Sequence, residues 1–490
     1  MGEMKGPAVP GAREPTEVRG SAVPDAQGAT EVQGPAVPDA REATEVRDPA
    51  VPGARESTEA RRPDSVRAHN TALVLGLLRT GGLVSRADLA RETGLSLPTV
   101  MDIVERLCAQ GLVRQAGSGT PAGGRPPRLY EFTPGSRMAL GISIGTATTT
   151  ALLTDLNATV LHEVREPSRL REGPEACVEQ VTRLLDVLLA RGAERQGTVI
   201  GIGLAVAAHL RDSEGRRLRP WDDPGLAPLD LRALVAERYG VPVDLDNYAK
   251  AVAVGEHRFG AARGHRHVLC VVLQDGVGAA LITGGALHRG WDGAAGRFGA
   301  TLVPGPDGER TTLDAVAGAA GIVARAARAM RAASGAAGPG VGSSNGAGTS
   351  NTADPAGTSG AGSMSSSDPM SPSGAGPVRS AAGPSSLAEV CAAAEEGNPG
   401  AVLALREVGE LLGDAVHNAC MLADPEVVVL TGPTVVAAGD HLVGPTTRAV
   451  TGGGRRRVVT GALGERAGAI GAVALLLRNS FIDPLRVSTG

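Results

Sequence analysis

The sequence predicts an α/β protein with two ordered parts, a small module of helices and short strands followed by a larger α/β region. Apolar residues recur at helical spacing in three short segments between 70 and 111. From 139 onward, apolar strand-like runs alternate with amphipathic helices. Gly 69 and Pro 33 are too many for a uniformly packed globule, so the 42% hydrophobic content can build sizeable cores only if that excess falls largely in tails and linkers. At roughly 100–200 residues per domain, the length predicts about three domains.

Residues 1–63 come first. Positions 6–19 (GPAVPGAREPTEVR), 20–33, 34–47 and 48–61 are four copies of one 14-residue unit. Each copy offers only Val and Ala as apolar material and places a Pro mid-unit, and the four together carry acidic residues in excess of basic ones. Such a unit cannot bury enough surface to offset its ordering entropy, so disorder is expected. A second stretch, 334–386, has the Gly/Ser/Ala composition of a flexible linker and interrupts a helical pattern running from Leu313 to Ala333 and resuming at Leu387. It reads as a disordered insertion within the larger domain, 137–490.

The module at 64–135 has a definite pattern. A helix opening at Asn70 ends at Gly81-Gly82. Ser85 caps a second helix stopped by Gly94, and Ser96 caps a third, with Pro98 tolerated in its first turn. Val100, Ile103, Val104 and Leu107 form the buried stripe of that third helix. LVRQ (112–115) and RLYEF (128–132) read as two strands around a Gly/Pro-rich turn. Three helices and a two-stranded wing make a winged helix-turn-helix.

Charge agrees. Between Arg62 and Tyr130 nine Arg stand against five acidic residues, a net +4, while the whole chain is -4. The positive segment is the one shaped to sit on phosphate. Its partner is expected to be double-stranded DNA, with the third helix entering the major groove by its first turn. The expected contacts are Ser96, Leu97, Thr99, Met101 and Asp102, with Arg125 at the wing tip reaching a narrowed minor groove. Asp102 repels phosphate yet can accept from cytosine N4; an exposed, purely helical role is the alternative.

Other classes are excluded. Nine aromatics (Trp 2, Tyr 3, Phe 4) rule out base-stacking platforms. The five cysteines are scattered without a Cys-x-x-Cys pair, against a disulfide framework or a zinc site. The first thirty residues lack an apolar signal core, and the apolar run Ala467–Leu477 is far short of the ~20 residues that cross a bilayer. A cytoplasmic protein with no membrane contact is expected.

The segment HNTALVLGLLRTGGLVSRADLARETGLSLPTVMDIVERLCAQGLV, followed by GGRPPRLYEF, resembles the DNA-binding part of ROK-family transcriptional regulators (repressors, open reading frames, kinases). The resemblance continues through LGISIGTATTTALLTDLNATVL, VIGIGLAV, VPVDLDNYAKAVAVGEHRFGAARG, VLCVVLQDGVGAALITGGALHRGWDGAAGRFG and VVVLTGPTVVAAGDHLVGP to LGERAGAIGAVALLL. It covers about 64–333 and 387–480. It implies a winged helix followed by two actin-like α/β lobes that clasp a sugar.

The chemistry that the resemblance implies is missing. Where the family's kinases place an Asp to organise metal and phosphates, this chain has Ser143, a poor Mg²⁺ ligand. Where they place the general base, it has Tyr248 beside a retained Asn247, and a phenol with a pKa near ~10 is no base at neutral pH. Asp275 would repel a phosphate, and Pro433 in Thr431-Gly432-Pro433 has no N–H to donate. The family's zinc-binding and sugar-binding Glu-x-Gly-His stretch reads Arg297-Phe298-Gly299-Ala300, removing two ligands. Asn247, Asp314, His209 and the new cation Arg297 remain as candidate effector contacts. One reading is a changed, anionic effector paired with Arg297. The other is a drifted cleft in which Asn247 and Asp314 satisfy local backbone groups and Tyr248 is packing.

The expectation is therefore a non-catalytic ROK-type regulator, a repressor with no catalytic residue, metal or cofactor. It acts as a homodimer or tetramer, with a sugar or a derivative of one as effector. A ligand-independent DNA-binding or scaffold protein is the alternative, and an active sugar kinase is the third.

Overall fold

The computed structural model describes residues 63–119, 126–208, 210–211, 217–218, 230–306, 308–336, 384–451 and 456–482. The 14-residue repeats and positions 337–383 of the expected insertion lie outside them, as do Arg125 and His209.

The first module follows the local signals closely. Helix α1 (Pro63–Gly81) begins before Asn70, because a Pro is accommodated in the first helical turn and nothing between them breaks a helix. Strand β1 (Val84–Ser85) leads into α2 (Arg86–Thr93), whose cap Ser85 accepts the Asp88 N–H at 3.2 Å. Gly94 ends α2 at φ 70, the left-handed region open to glycine. Helix α3 (Leu97–Ala109) buries Val100, Ile103, Val104 and Leu107. Strands β2 (Val113–Ser118) and β3 (Arg128–Phe132) pair antiparallel, and β1 joins the other edge of β3. At two residues, β1 is too short to show alternation in the sequence.

Two five-stranded sheets follow. In the first, β4 (Met138–Ile144), β5 (Thr148–Asp155) and β6 (Val160–Pro167) form an antiparallel meander. Helix α4 (Pro174–Glu194) leads to β7 (Val199–Val206), parallel to β4. The short pair β8 (Leu210–Arg211) and β9 (Arg217–Leu218) precedes α5 (Leu231–Tyr239) and β10 (Val243–Asn247), parallel to β7. The order is β10-β7-β4-β5-β6. Helix α6 (Tyr248–Phe259) then runs to the second sheet.

The second sheet has the same plan. Strands β11 (Val268–Leu273), β12 (Val277–Thr283) and β13 (Ala286–Leu287) form the meander. After the β14 (Leu302–Pro304) and β15 (Arg310–Thr312) hairpin come α7 (Leu313–Ala317), α8 (Ala319–Ala336), α9 (Leu387–Glu395) and α10 (Pro399–Ala423). Strand β16 (Val427–Thr431), α11 (Pro433–Ala438), α12 (Asp440–Thr451) and β17 (Arg457–Thr460) complete the order β13-β12-β11-β16-β17. The continuous helix expected from Leu313 to Ala333 is instead two helices broken at Gly318, where a Cβ would meet the Asp275 and Asp314 carbonyls. Helix α8 also runs on to Ala336, so the first residues of the expected insertion are helical.

The last helix, α13 (Ala467–Ile482), returns to the first sheet and lies on β4 and β7. Gly141 and Gly203 permit this approach, since a Cβ on either would strike the α13 backbone at Ala469 or Ala472. The other side of α13 packs on α6 and α1, so Val74, Leu78, Ala469 and Val473 belong to one apolar cluster. The winged helix thus shares core with the first lobe. Among the described residues, no helix is long and apolar enough to cross a membrane.

Candidate functional site

Helix α3 presents one face inward and the other outward. Ser96 and Asp102 are exposed, as are Leu97 (46%) and Met101 (39%), and Thr99 is half-buried. An exposed Leu and Met on the first turns of a short helix leave contact surface available to a groove. The Ser96 hydroxyl accepts the Thr99 N–H at 3.3 Å and shares a 2.8 Å hydrogen bond with the Thr99 hydroxyl, fixing this turn. Asp102 pairs with Arg106 one turn on at 3.3 Å, which offsets part of its repulsion for phosphate. Arg86 sits over the Tyr130 ring at 4.9 Å and contacts Glu105 at 3.3 Å, tying α2 and α3 to the wing strand β3.

The cleft between the two sheets contains two cavities of 360 Å³. One is lined by Ser143, Thr146, Tyr248, Gln274 and Thr434, and its only charged lining groups among the described residues are Asp275 and Glu465. Both are acidic, and Glu465 is paired with Arg165. Asp275 is held by Arg171 from the other lobe at 2.6 Å. Tyr248 is buried at the start of α6, and burial pushes its hydroxyl up to about 12, the Gln274 hydrogen bond pulling the other way. Deprotonating a sugar hydroxyl is beyond such a group at neutral pH.

The second cavity gathers Asn247, Lys250, Asp292, Arg297 and Asp314. Three of the four expected effector contacts are therefore brought together. Two of them are engaged by the backbone. Asn247 caps α6, its Oδ1 accepting the N–H groups of Ala249 (3.0 Å) and Lys250 (3.3 Å) while its Nδ2 donates to the Ala208 carbonyl at 2.9 Å. Asp314 Oδ1 accepts the Val277 N–H at 2.6 Å. Lys250 donates to the Gly293 carbonyl.

Sequence reasoning missed two buried acids. Asp246 is 3% exposed and pairs with Arg289 at 2.6 Å, forty-three positions away. Glu256 is fully buried and accepts three backbone N–H groups, from Ala261 (2.8 Å), Ala462 (3.0 Å) and Leu463 (2.9 Å). The neighbouring glycines Gly260 and Gly461 were the available signal, since a Cβ on either would collide with this carboxylate.

With this geometry in hand, the ROK family pattern matches residues 139–479. The chain belongs to the ROK family. The MarR family pattern matches residues 69–122, across the winged helix. The xylose repressor of Bacillus spizizenii is 30% identical over 241 residues, 48% of this chain and 60% of that protein. The glucokinase of Streptomyces coelicolor is 32% identical over 165 residues, 33% of this chain and 49% of that enzyme. The chain thus spans about three-fifths or less of the length of these relatives. A crystal structure of a ROK family transcriptional regulator, a homologue of the Escherichia coli MLC protein, superposes with a TM-score of 0.66. That match has 18% identity and covers 86% of this chain and 98% of that one, showing the common fold.

The zinc that the ROK family implies does not fit here. Arg297 and Ala300 stand where a Glu and a His would be, and among the described residues no three His, Cys, Asp or Glu side chains converge.

Proposed function

We propose that this protein is a DNA-binding transcriptional repressor of the ROK type that has no phosphotransferase activity. One observation carries the reading: an α3 whose first turns face outward is joined to a kinase-like cleft where a buried Tyr248 stands in the place of a base. Ser96, Leu97, Thr99, Met101, Asp102 and Arg125 would contact the duplex, and two copies would read paired half-sites as a symmetric homodimer. The relatives named xylose repressor support the same direction of regulation, in a cytoplasmic protein.

The purified chain is expected to retain specific genomic fragments at low ionic strength and to form no hexose phosphate from ATP and a hexose. Failure to retain any fragment removes the DNA-binding part of the proposal, and hexose phosphate formation removes the non-catalytic part.

The cavity holding Asn247, Arg297 and Asp314 supports an effector, a sugar or sugar derivative. Use of Asn247 and Asp314 on backbone groups favours the alternative, a ligand-independent DNA-binding protein. Melting-temperature shifts across sugars and sugar phosphates separate the two. A saturable shift lost in Arg297→Ala supports the effector, and a flat panel supports the alternative.

A further inference from the structure

One further cavity is not in the cleft. It lies where α1 of the winged helix meets the ROK module, with a volume of 830 Å³. Helix α1 supplies Leu73, Gly76 and Arg79, the end of α6 supplies Arg258 and Phe259, and α13 supplies Leu477 and Arg478. Ligand pockets commonly occupy about 300–1,000 Å³ and favour domain junctions.

Charge in this cavity is one-sided. Three guanidinium groups surround it, and among the described residues none of the three has an ion-pair partner. Arg79 stacks on Phe132 at 5.8 Å while its Nε is buried without a hydrogen-bond partner. Asp155, the one carboxylate that acts on Arg79, has its Oδ1 committed to the Asn157 and Thr159 N–H groups, both at 2.8 Å. Loss of hydration and the nearby Arg258 hold the Arg79 guanidinium below its usual range, while Arg258 and Arg478 are exposed at the cavity's solvent side. Clustered cations with unspent donors are stabilised by an anion, which a guanidinium fork binds bidentately.

Gly76 is an independent observation. It sits inside α1, where glycine costs about 1 kcal/mol relative to alanine, yet a Cβ there would meet nothing within 4 Å. Packing does not require the missing side chain. Its absence leaves the cavity open.

We propose that this cavity is a binding site for a small organic anion, a carboxylate or phosphate monoester on an apolar body. The anionic head meets Arg79, Arg258 and Arg478, and the body lies against Leu73, Phe259 and Leu477. The proposal stands apart from the cleft and from any kinase or effector chemistry there.

Calorimetric titration of the full chain with benzoate and with phenyl phosphate tests it, with inorganic phosphate and cyclohexanol as charge-only and apolar-only controls. At least one organic anion is expected to saturate below about 1 mM, and the tighter of the two identifies the preferred head group. Both controls should bind at least about ten-fold more weakly. Gly76→Leu fills the cavity and Arg258→Gln removes a charge, and each should weaken binding by about ten-fold or more. Circular dichroism establishes that each variant is folded; should Gly76→Leu not fold, Arg258→Gln alone decides. No saturable binding of either organic anion overturns the site. So does unchanged affinity in the folded variants, and inorganic phosphate binding as tightly as phenyl phosphate overturns the apolar half.

Discussion

Helix α3 and the inter-lobe cleft both hold polar side chains at the ends of regular elements, and they spend them in opposite directions. On α3 the cap Ser96 holds the Thr99 N–H and Asp102 pairs with Arg106 on the surface, while Leu97 and Met101 face solvent. In the cleft Asn247 and Asp314 are turned onto backbone groups, and Asp246, next to Asn247 in the chain, onto Arg289. A surface that reads a partner keeps bonding capacity and contact area uncommitted. A cleft kept for its shape uses the same kinds of residue to hold its walls.

The largest expected effect lies outside both regions, at the most internal acid, and calibrates what a committed carboxylate contributes. Glu256→Ala removes the acceptor of three part-buried N–H groups, each hydrogen bond to a charged group being worth about 1.5–3 kcal/mol, so urea unfolding should show a loss of about 3 kcal/mol or more. A loss under about 1 kcal/mol would mean that these N–H groups are satisfied without the carboxylate. Next, Met101→Glu adds a carboxylate beside Asp102 on the outward face. Operator affinity is expected to fall about ten-fold or more with the melting temperature unchanged; equal affinity would take this face out of the contact. Arg125→Ala should weaken binding most on sites whose flanking minor groove is narrowed by A·T pairs, measured by titrations against A·T- and G·C-flanked sites. Ser96→Ala should cost about 1 kcal/mol of stability, largely restored by Ser96→Asp; thermal melts of the two variants check this. Smallest of all, Tyr248→Asp alone should give no hexose phosphorylation, because Ser143, Asp275 and Pro433 remain. Turnover in that variant would show a phosphate site still intact.

Local signals were legible and distant ones were not. Ser85, Gly94 and Ser96 act within one helical turn, so the ends of α2 and the start of α3 could be read directly. The buried runs of β4, β7 and β11 were equally plain, being apolar throughout or nearly so. By contrast, the break at Gly318 is imposed by Asp275, which arrives from another part of the chain. The start of α1 carries no apolar period to announce it. In the candidate site, the meeting of Asn247, Arg297 and Asp314 in one cavity was legible only through family resemblance. The commitment of Asn247 to Ala208 and the Asp246–Arg289 pair depend on tertiary packing that no spacing encodes.

The position of α13 has a consequence for how the protein is made. The first sheet is covered on one face by a helix synthesised only after the entire second lobe. A ribosome-bound chain carrying β4 to β10 would expose the floor around Gly141 and Gly203 until α13 emerged. Such widely separated pairing slows folding through the entropy of loop closure. Nascent chains stalled before Ala467 should therefore be prime clients for chaperones.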